Sequence, residues 1–448
     1  MKPLSMRIKI GYGLGDLASN FLFQLTVIYL LFFYTDILKI SAISAGMIFL
    51  LARIWDAIND PVMGLVVDHT KSKHGKARVY LLYGSLPLAI ATVMMFQVPG
   101  FSQAGRVAYA LVTYILWGML YTLVNIPYSS LTASLTQDPQ ERTSLSSIRM
   151  IFMLIGVICV SVLVEPIVSS YEQPAVGYRV VAIFFAVLSF VFFQLCFLST
   201  KVAKEDQGTE ENAYSIKEVW PILLKNGPLL IIAVTSLFGS MASFIRETAA
   251  IYFVNYNVGR SEMLPLFLGV VVLSMVVGNL ILPRITERFD KKGAYYIGTA
   301  IAVIGSLLFH FTPISNLTMI MVLAAVSSVG FAMVGTLGWS MVPDTVEYGE
   351  YKTGVRTEGI IYAVFSFSQK LATAVAGLLV ATILETTDYV ANAAIQSPET
   401  LNGILSTLTI IPITLVLISA VAVHFYKIDR VFFKEIQDKL EIENRKQA

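Results

Sequence analysis

Residues 49–64, FLLARIWDAINDPVMG, place a guanidinium, two carboxylates and an amide inside an otherwise apolar run. On a helix Arg53, Asp56 and Asp60 share one face, being three and four positions apart, and Asn59 lies on its flank. Two carboxylates one turn apart in a medium of low dielectric repel unless a proton or a cation sits between them. Oxygen ligands of this kind suit a hard cation such as sodium or lithium, and the same pair can titrate and carry a proton instead. Pro61 follows at once and frees a backbone carbonyl one turn earlier. The competing reading is a structural ion pair between Arg53 and one aspartate, but a single arginine neutralises only one of the two acids.

A second polar stripe lies in YTLVNIPYSSL, residues 121–131, where Thr122, Asn125 and Ser129 are three and four apart and Tyr121 adjoins them. Such a stripe either joins helices or lines a cavity, and beside a carboxylate pair the cavity is the better reading. Tyr121, Tyr128 and Trp117 offer faces on which a sugar ring could stack. Further ionisable residues stand in apolar runs: Asp16, Arg149, Arg246, Glu247 and Lys370. Each costs about 2.5–3.5 kcal/mol in a membrane helix, which makes it a functional candidate. With Arg53, Asp56 and Asp60 the embedded charges balance. One added cation then leaves a positive surplus that favours a neutral or singly anionic solute.

These residues need a membrane-spanning scaffold, and the composition demands one. The chain has 448 residues, 56% hydrophobic and 14% charged, against roughly 45–50% and 25% in soluble domains. Too few charges are available to clothe a soluble protein of this size. Apolar runs between Gly, Pro and charged boundaries predict twelve spans at 10–34, 44–67, 79–99, 107–131, 144–169, 180–199, 226–255, 263–283, 294–313, 317–340, 357–385 and 400–426. The alternate connections that include both termini hold 24 Lys and Arg, and the others hold four. The positive-inside rule therefore puts both termini in the cytoplasm. The basic start leads into the first span without a clear cleavage site and is not read as a signal peptide. Cys159 and Cys196 lie in apolar runs, and no disulfide is expected.

The long polar stretch between the sixth and seventh spans divides the chain into an N-terminal six-helix bundle (1–199), a cytoplasmic linker (200–225), a C-terminal six-helix bundle (226–426) and a cytoplasmic tail (427–448). Loop strings recur in the two halves. GLVVDHTKSKHGKARVY answers LPRITERFDKKGAYY, and NIPYSSLTASLTQDPQERTS answers VPDTVEYGEYKTGVRTE. Paired six-helix halves are the layout of major-facilitator transporters, with the substrate site near mid-membrane. The expected fold class is thus an all-α membrane protein of twelve transmembrane helices in two pseudo-symmetric bundles.

RIWDAINDP at 53–61, with YTDIL at 34–38 and DTVEYGEYKTGVRTEGIIY at 344–362, resembles the glycoside–pentoside–hexuronide:cation symporter family of the major facilitator superfamily. The resemblance runs from GYGLGD at 11–16 to the tail. It implies a cation site at Asp56, Asn59, Asp60 and Thr122, and sugar contacts at Asp16, Arg149 and Lys370, joined by Tyr121, Asn125 and Ser129. Asn125 and Ser129 stand where α-galactoside carriers of the family have an aspartate and a tryptophan, which leaves a glycoside, a pentoside or a uronide as substrate. Supporting or gate positions are Arg53, Arg246, Glu247, Trp339, Asp344, Glu347, Arg356 and Glu358. The acids at 344–358, with Glu350, are expected to pair with basic groups of the opposite half in one conformation and release them in the other.

The resulting expectation is sugar:cation symport by alternating access across the inner (plasma) membrane, driven by sodium or protons, with lithium as a further candidate. The partners are a small sugar, the cation and lipid; no nucleic acid, no other cofactor and a monomer are expected. The alternatives are a facilitative uniporter or exchanger and a non-transporting sugar sensor. An enzyme is disfavoured because His69, His74, His310 and His424 show no ligand or catalytic spacing.

Overall fold

The computed structural model describes residues 4–68, 70, 72–75, 77–136, 139–200, 226–354 and 358–447, and among these there is no strand. The helices of the first half are α1 (Met6–Phe32), α2 (Ala42–Asp68), α3 (Arg78–Met95), α4 (Gln103–Leu135), α5 (Pro139–Ser169) and α6 (Pro174–Ser199). Those of the second half are α7 (Gly227–Tyr252), α8 (Leu264–Phe311), α9 (Leu317–Thr353), α10 (Glu358–Thr386), α11 (Pro398–Leu408), α12 (Ile410–His424) and α13 (Arg430–Gln447). Ten helical stretches among the described residues are long and apolar enough to cross a membrane. One of them contains two predicted spans, because Asp290 breaks α8 at φ 62°. α2, 27 residues long, joins them by length. The count of predicted spans is recovered on that basis, with the last one divided at Thr409 into α11 and α12.

Several helices outrun their predicted ends. α4 reaches Leu135 and α9 reaches Thr353, where the hydropathy signal stops at 131 and 340. A helix satisfies its backbone internally and has no reason to stop where its side chains become polar. Capping sets other ends. The Asn226 side chain accepts from Leu229 N at 3.1 Å to start α7, the Asn316 side chain accepts from Met319 N at 3.1 Å to start α9, and Gly354 at φ 69° closes α9. The internal repeat is also visible in the backbone. α1 and α7 each run into a π-helical turn, Phe33–Ile37 and Phe253–Val258, and a left-handed residue follows each, Lys39 and Gly259.

The chain forms two compact units. The first comprises Met1–Thr209 with Gly259–Gly269 and Leu384–Ser397, and the second comprises Glu210–Val258, Val270–Ile383 and Pro398–Ala448. Two connecting segments from the second half of the sequence thus belong to the first unit. Of the expected linker only Thr200 is described; 201–225 lie outside the described residues.

In the first unit α1 packs on α5 and α6, α3 on α4 and α6, and α2 on α4. The apolar stretch of α1 is 83% buried, against 28–61% for the other spans, so α1 is central. In the second unit α7 packs on α9, α11 and α12. Its core gathers Leu229, Ile232, Met341, Val342, Phe365 and Tyr426, and Phe432 and Phe433 of α13 pack against it. The expected tail is therefore a docked helix. Arg430 donates to the Thr286 and Glu287 carbonyls at 2.9 and 3.1 Å. Outward-facing apolar residues such as Leu198, Leu280, Val322 and Val421 are more than half exposed, as a lipid solvent requires.

Candidate cation and sugar sites

α2 and α4 face each other in step. Arg53 Nη1 donates to Asp56 Oδ2 at 2.6 Å, and Nη2 donates to the Tyr114 hydroxyl at 3.2 Å. One turn on, a Cβ at Gly118 would lie 3.0 Å from Asp56 Oδ1, so the missing side chain lets the α4 backbone approach that carboxylate. A further turn on, Thr122 Oγ1 donates to Asp60 Oδ1 at 2.9 Å. Asp56, Asn59 and Thr122 are buried, and Asn59 Nδ2 has no hydrogen-bond partner. One guanidinium and two carboxylates leave a single negative charge, facing hydroxyl and amide groups. That donor set fits a small monovalent cation as cargo.

Tyr114 and Gly118 were not among the sequence candidates, although 114, 118 and 122 follow one another at four-residue spacing along one helical face. The aromatic candidates separate. Trp117 and Tyr128 are 1% and 0% exposed and form part of the unit's interior. Trp117 Nε1 donates to Thr92 Oγ1 at 3.1 Å, and the Tyr128 hydroxyl donates to the Tyr12 carbonyl at 2.8 Å. This corrects the expectation that either ring is open to a sugar. Their polar ends gain buried partners, which fixes both rings in the core. Tyr121 is half-buried and stacks on Trp117 with ring centroids 5.0 Å apart.

Asp16 on α1 and Arg149 on α5 meet in the first unit. Arg149 Nε and Nη2 both donate to Asp16 Oδ1, at 3.1 and 2.9 Å. The guanidinium carbon lies 5.1 Å from the Tyr128 ring centre and 5.7 Å from that of Tyr12, which stack on each other. Gly15 makes this arrangement possible, since a Cβ there would meet Tyr128 at 2.3 Å. On α4, Asn125 is half-buried and Ser129 exposed.

Lys370 belongs to α10 in the second unit and is half-buried, next to Gln369, whose Nε2 donates to Ser236 Oγ at 2.7 Å. Arg246 of α7 donates through Nη2 to Ser327 Oγ and Ser328 Oγ of α9 at 2.7 and 3.3 Å. Its guanidinium carbon is 4.3 Å from the Phe331 ring centre. Glu247 is half-buried. Trp339 is half exposed and meets Phe365 edge-on at 4.6 Å. Asp344 receives Lys291 Nζ at 2.7 Å on each oxygen, an ion pair inside the second unit. The Tyr426 hydroxyl also donates to Asp344, at 3.3 Å, and burial together with that carboxylate pushes the phenol up. Lys291 was legible only as one member of the basic string at 284–293. Glu347 is half-buried, Arg356 lies outside the described residues, and so does the Glu358 side chain.

Residues 11–430 match the family described as MFS/sugar transport protein. The chain belongs to that family. Among its relatives, a glucuronide carrier protein homolog of Escherichia coli is 35% identical over 100% of this chain and 97% of its own length. A putative glycoside/cation symporter of the same organism is 34% identical over 96% of this chain and 93% of its own. In the solved structure of a D-xylose-proton symporter, which is 15% identical, 96% of the chain aligns with 92% of this one at a TM-score of 0.68. The last likeness establishes the fold. This member of the MFS/sugar transport protein family is a multi-pass membrane transporter with the major-facilitator architecture.

Proposed function

We propose that this protein, a sugar:cation symporter, binds its coupling cation at Asp56 and Asp60 with Thr122 and Asn59, and its sugar against Asp16, Arg149, Tyr121 and Asn125 of the first unit. Ser129, exposed at the far end of the stripe, is at most a peripheral contact. The observation that carries the reading is the in-step facing of α2 and α4. Arg53 donates to Asp56, Thr122 donates to Asp60, and two acids face one base along a buried polar seam. Sodium, lithium or a proton balances the excess of acid over base. Relatives named as a glycoside/cation symporter and a glucuronide carrier homolog support both the coupling and a sugar substrate.

Cation binding neutralises the seam and fixes α2 against α4, which raises sugar affinity. By linkage the sugar raises cation affinity by the same factor, typically 5–150-fold. Alternating access then moves both solutes together. The distribution of basic residues supports a reading with both termini in the cytoplasm.

Asp60→Cys tests the reading in vesicles with an imposed sodium or proton gradient. Sugar exchange persists while gradient-driven accumulation disappears. Full accumulation in that variant removes the assignment, because the coupling cation then binds elsewhere and Asp60 is structural.

A further inference from the structure

α7 presents two neighbouring ionisable residues of opposite charge inside the second unit, which act on each other electrostatically while Arg246 Nε and Glu247 Oε2 are left without a hydrogen bond. Arg246 is 8% exposed. Its hydrogen bonds all leave from one nitrogen, Nη2, and end on two hydroxyls, Ser327 Oγ at 2.7 Å and Ser328 Oγ at 3.3 Å. Those hydroxyls are themselves oriented, because both give their protons to the Ala324 carbonyl, at 3.0 and 2.7 Å, and so turn lone pairs toward the guanidinium. The Phe331 ring covers one face of the guanidinium at 4.3 Å. Nε is buried with no hydrogen-bond partner, and among the described residues no carboxylate stands within ion-pair distance of the group. Glu247 Oε2 is likewise buried with no partner.

A guanidinium carries five N–H donors in a rigid plane matched to a carboxylate. Here the plane is clamped by two hydroxyls and an aromatic face, while most of the donors have nothing to meet. Leaving buried donors in that condition is costly unless a ligand completes them. Glu247 carries the complementary deficiency, an acceptor without a donor. A sugar bearing a carboxylate satisfies both, with its anionic oxygens on Arg246 and a ring hydroxyl donating to Glu247. The charge balance agrees, since the embedded charges cancel and a bound cation leaves room for one anion.

We propose that Arg246, positioned by Ser327, Ser328 and Phe331, is the specificity-determining residue that receives the carboxylate of an acidic sugar, with Glu247 accepting from a hydroxyl of the same ring. The proposal rests on the symport reading above and names the substrate class of that transport.

The test is equilibrium counterflow in vesicles at fixed sodium and pH with two labelled probes, methyl β-D-glucuronide and methyl β-D-glucoside, which share a ring and differ by the carboxylate. The wild type favours the glucuronide, and Arg246→Gln lowers the ratio of glucuronide to glucoside uptake by about thirtyfold or more. Arg246→Lys, which keeps the charge and loses the planar fork, lowers it by a smaller factor. It supplies the readout if the glutamine variant fails to reach the membrane. A wild type that favours the glucoside overturns the proposal, and so does a ratio unchanged by whichever variant is read. Movement of the glucoside alone sinks only this assignment, whereas movement of neither sugar brings down the symport reading with it.

Discussion

Arg53 holds Asp56 at 2.6 Å across one turn of α2 while Asp60, one turn further along, is held by a neutral hydroxyl from α4. The two aspartates of one helical face are therefore chemically unequal. Removing one partner of a buried ion pair strands the other, at a cost of about 3–5 kcal/mol. Arg53→Gln accordingly lowers thermal stability in detergent by that order, and adding Asp56→Asn recovers much of the loss. Equal stability for the single and double variants would show that the pair is not the source.

Gly118 sets the distance between α4 and Asp56. A methyl group there lies 3.0 Å from Asp56 Oδ1 and competes for the space of that oxygen. Gly118→Ala is expected to raise the half-saturating sodium or proton concentration for sugar uptake by about tenfold, the weight of one displaced hydrogen bond to a charged group. Expression of the variant should stay near that of the wild type, because the clash involves a side-chain atom and not backbone. An unshifted cation dependence would mean that Oδ1 takes no part in binding.

Gly15 plays the corresponding role for the Asp16–Arg149 pair. A Cβ at this position meets Tyr128 at 2.3 Å, and Tyr128 is fully buried with its hydroxyl committed to the Tyr12 carbonyl. Gly15→Ala must displace that ring, an overpacking defect of about 1–3 kcal/mol. Because the ring lies under the guanidinium, the half-saturating sugar concentration should rise along with the loss of thermal stability. Gly15→Ser should behave in the same way. A loss of stability with unaltered sugar saturation would separate the ring from the sugar site.

Lys291 and Asp344 tie the kink of α8 to the lower part of α9, and Tyr426 adds a bond from just beyond α12. Lys291→Met leaves a buried carboxylate with only a phenol, and about 3–5 kcal/mol of stability is lost. Asp344→Asn in that background restores part of it. Limited proteolysis of the docked α13 reports the same event, with faster cleavage in the single variant than in the double.

The sequence alone determined the solvent of this protein, the apolar stretches long enough to span it and the helical face that carries Arg53, Asp56 and Asp60. Those properties are local. Hydropathy over about 20 residues and a period of 3.6 do not depend on what packs nearby. The same locality explains the errors. Trp117 and Tyr128 carry the residue types that stack on sugars, and nothing within a few positions shows that Thr92 and Tyr12 take their polar ends.

Only tertiary structure decided that Arg53 bonds Asp56 while Thr122 bonds Asp60, that Gly118 opens α4 to Asp56, and that Asp344 meets Lys291, 53 positions away. Tertiary structure also placed Leu384–Ser397 with the first unit and docked α13 on the second. The physical reason is that the strength and the partner of a buried charge depend on the groups a few ångströms away in space, and in a helical bundle most of those come from other helices.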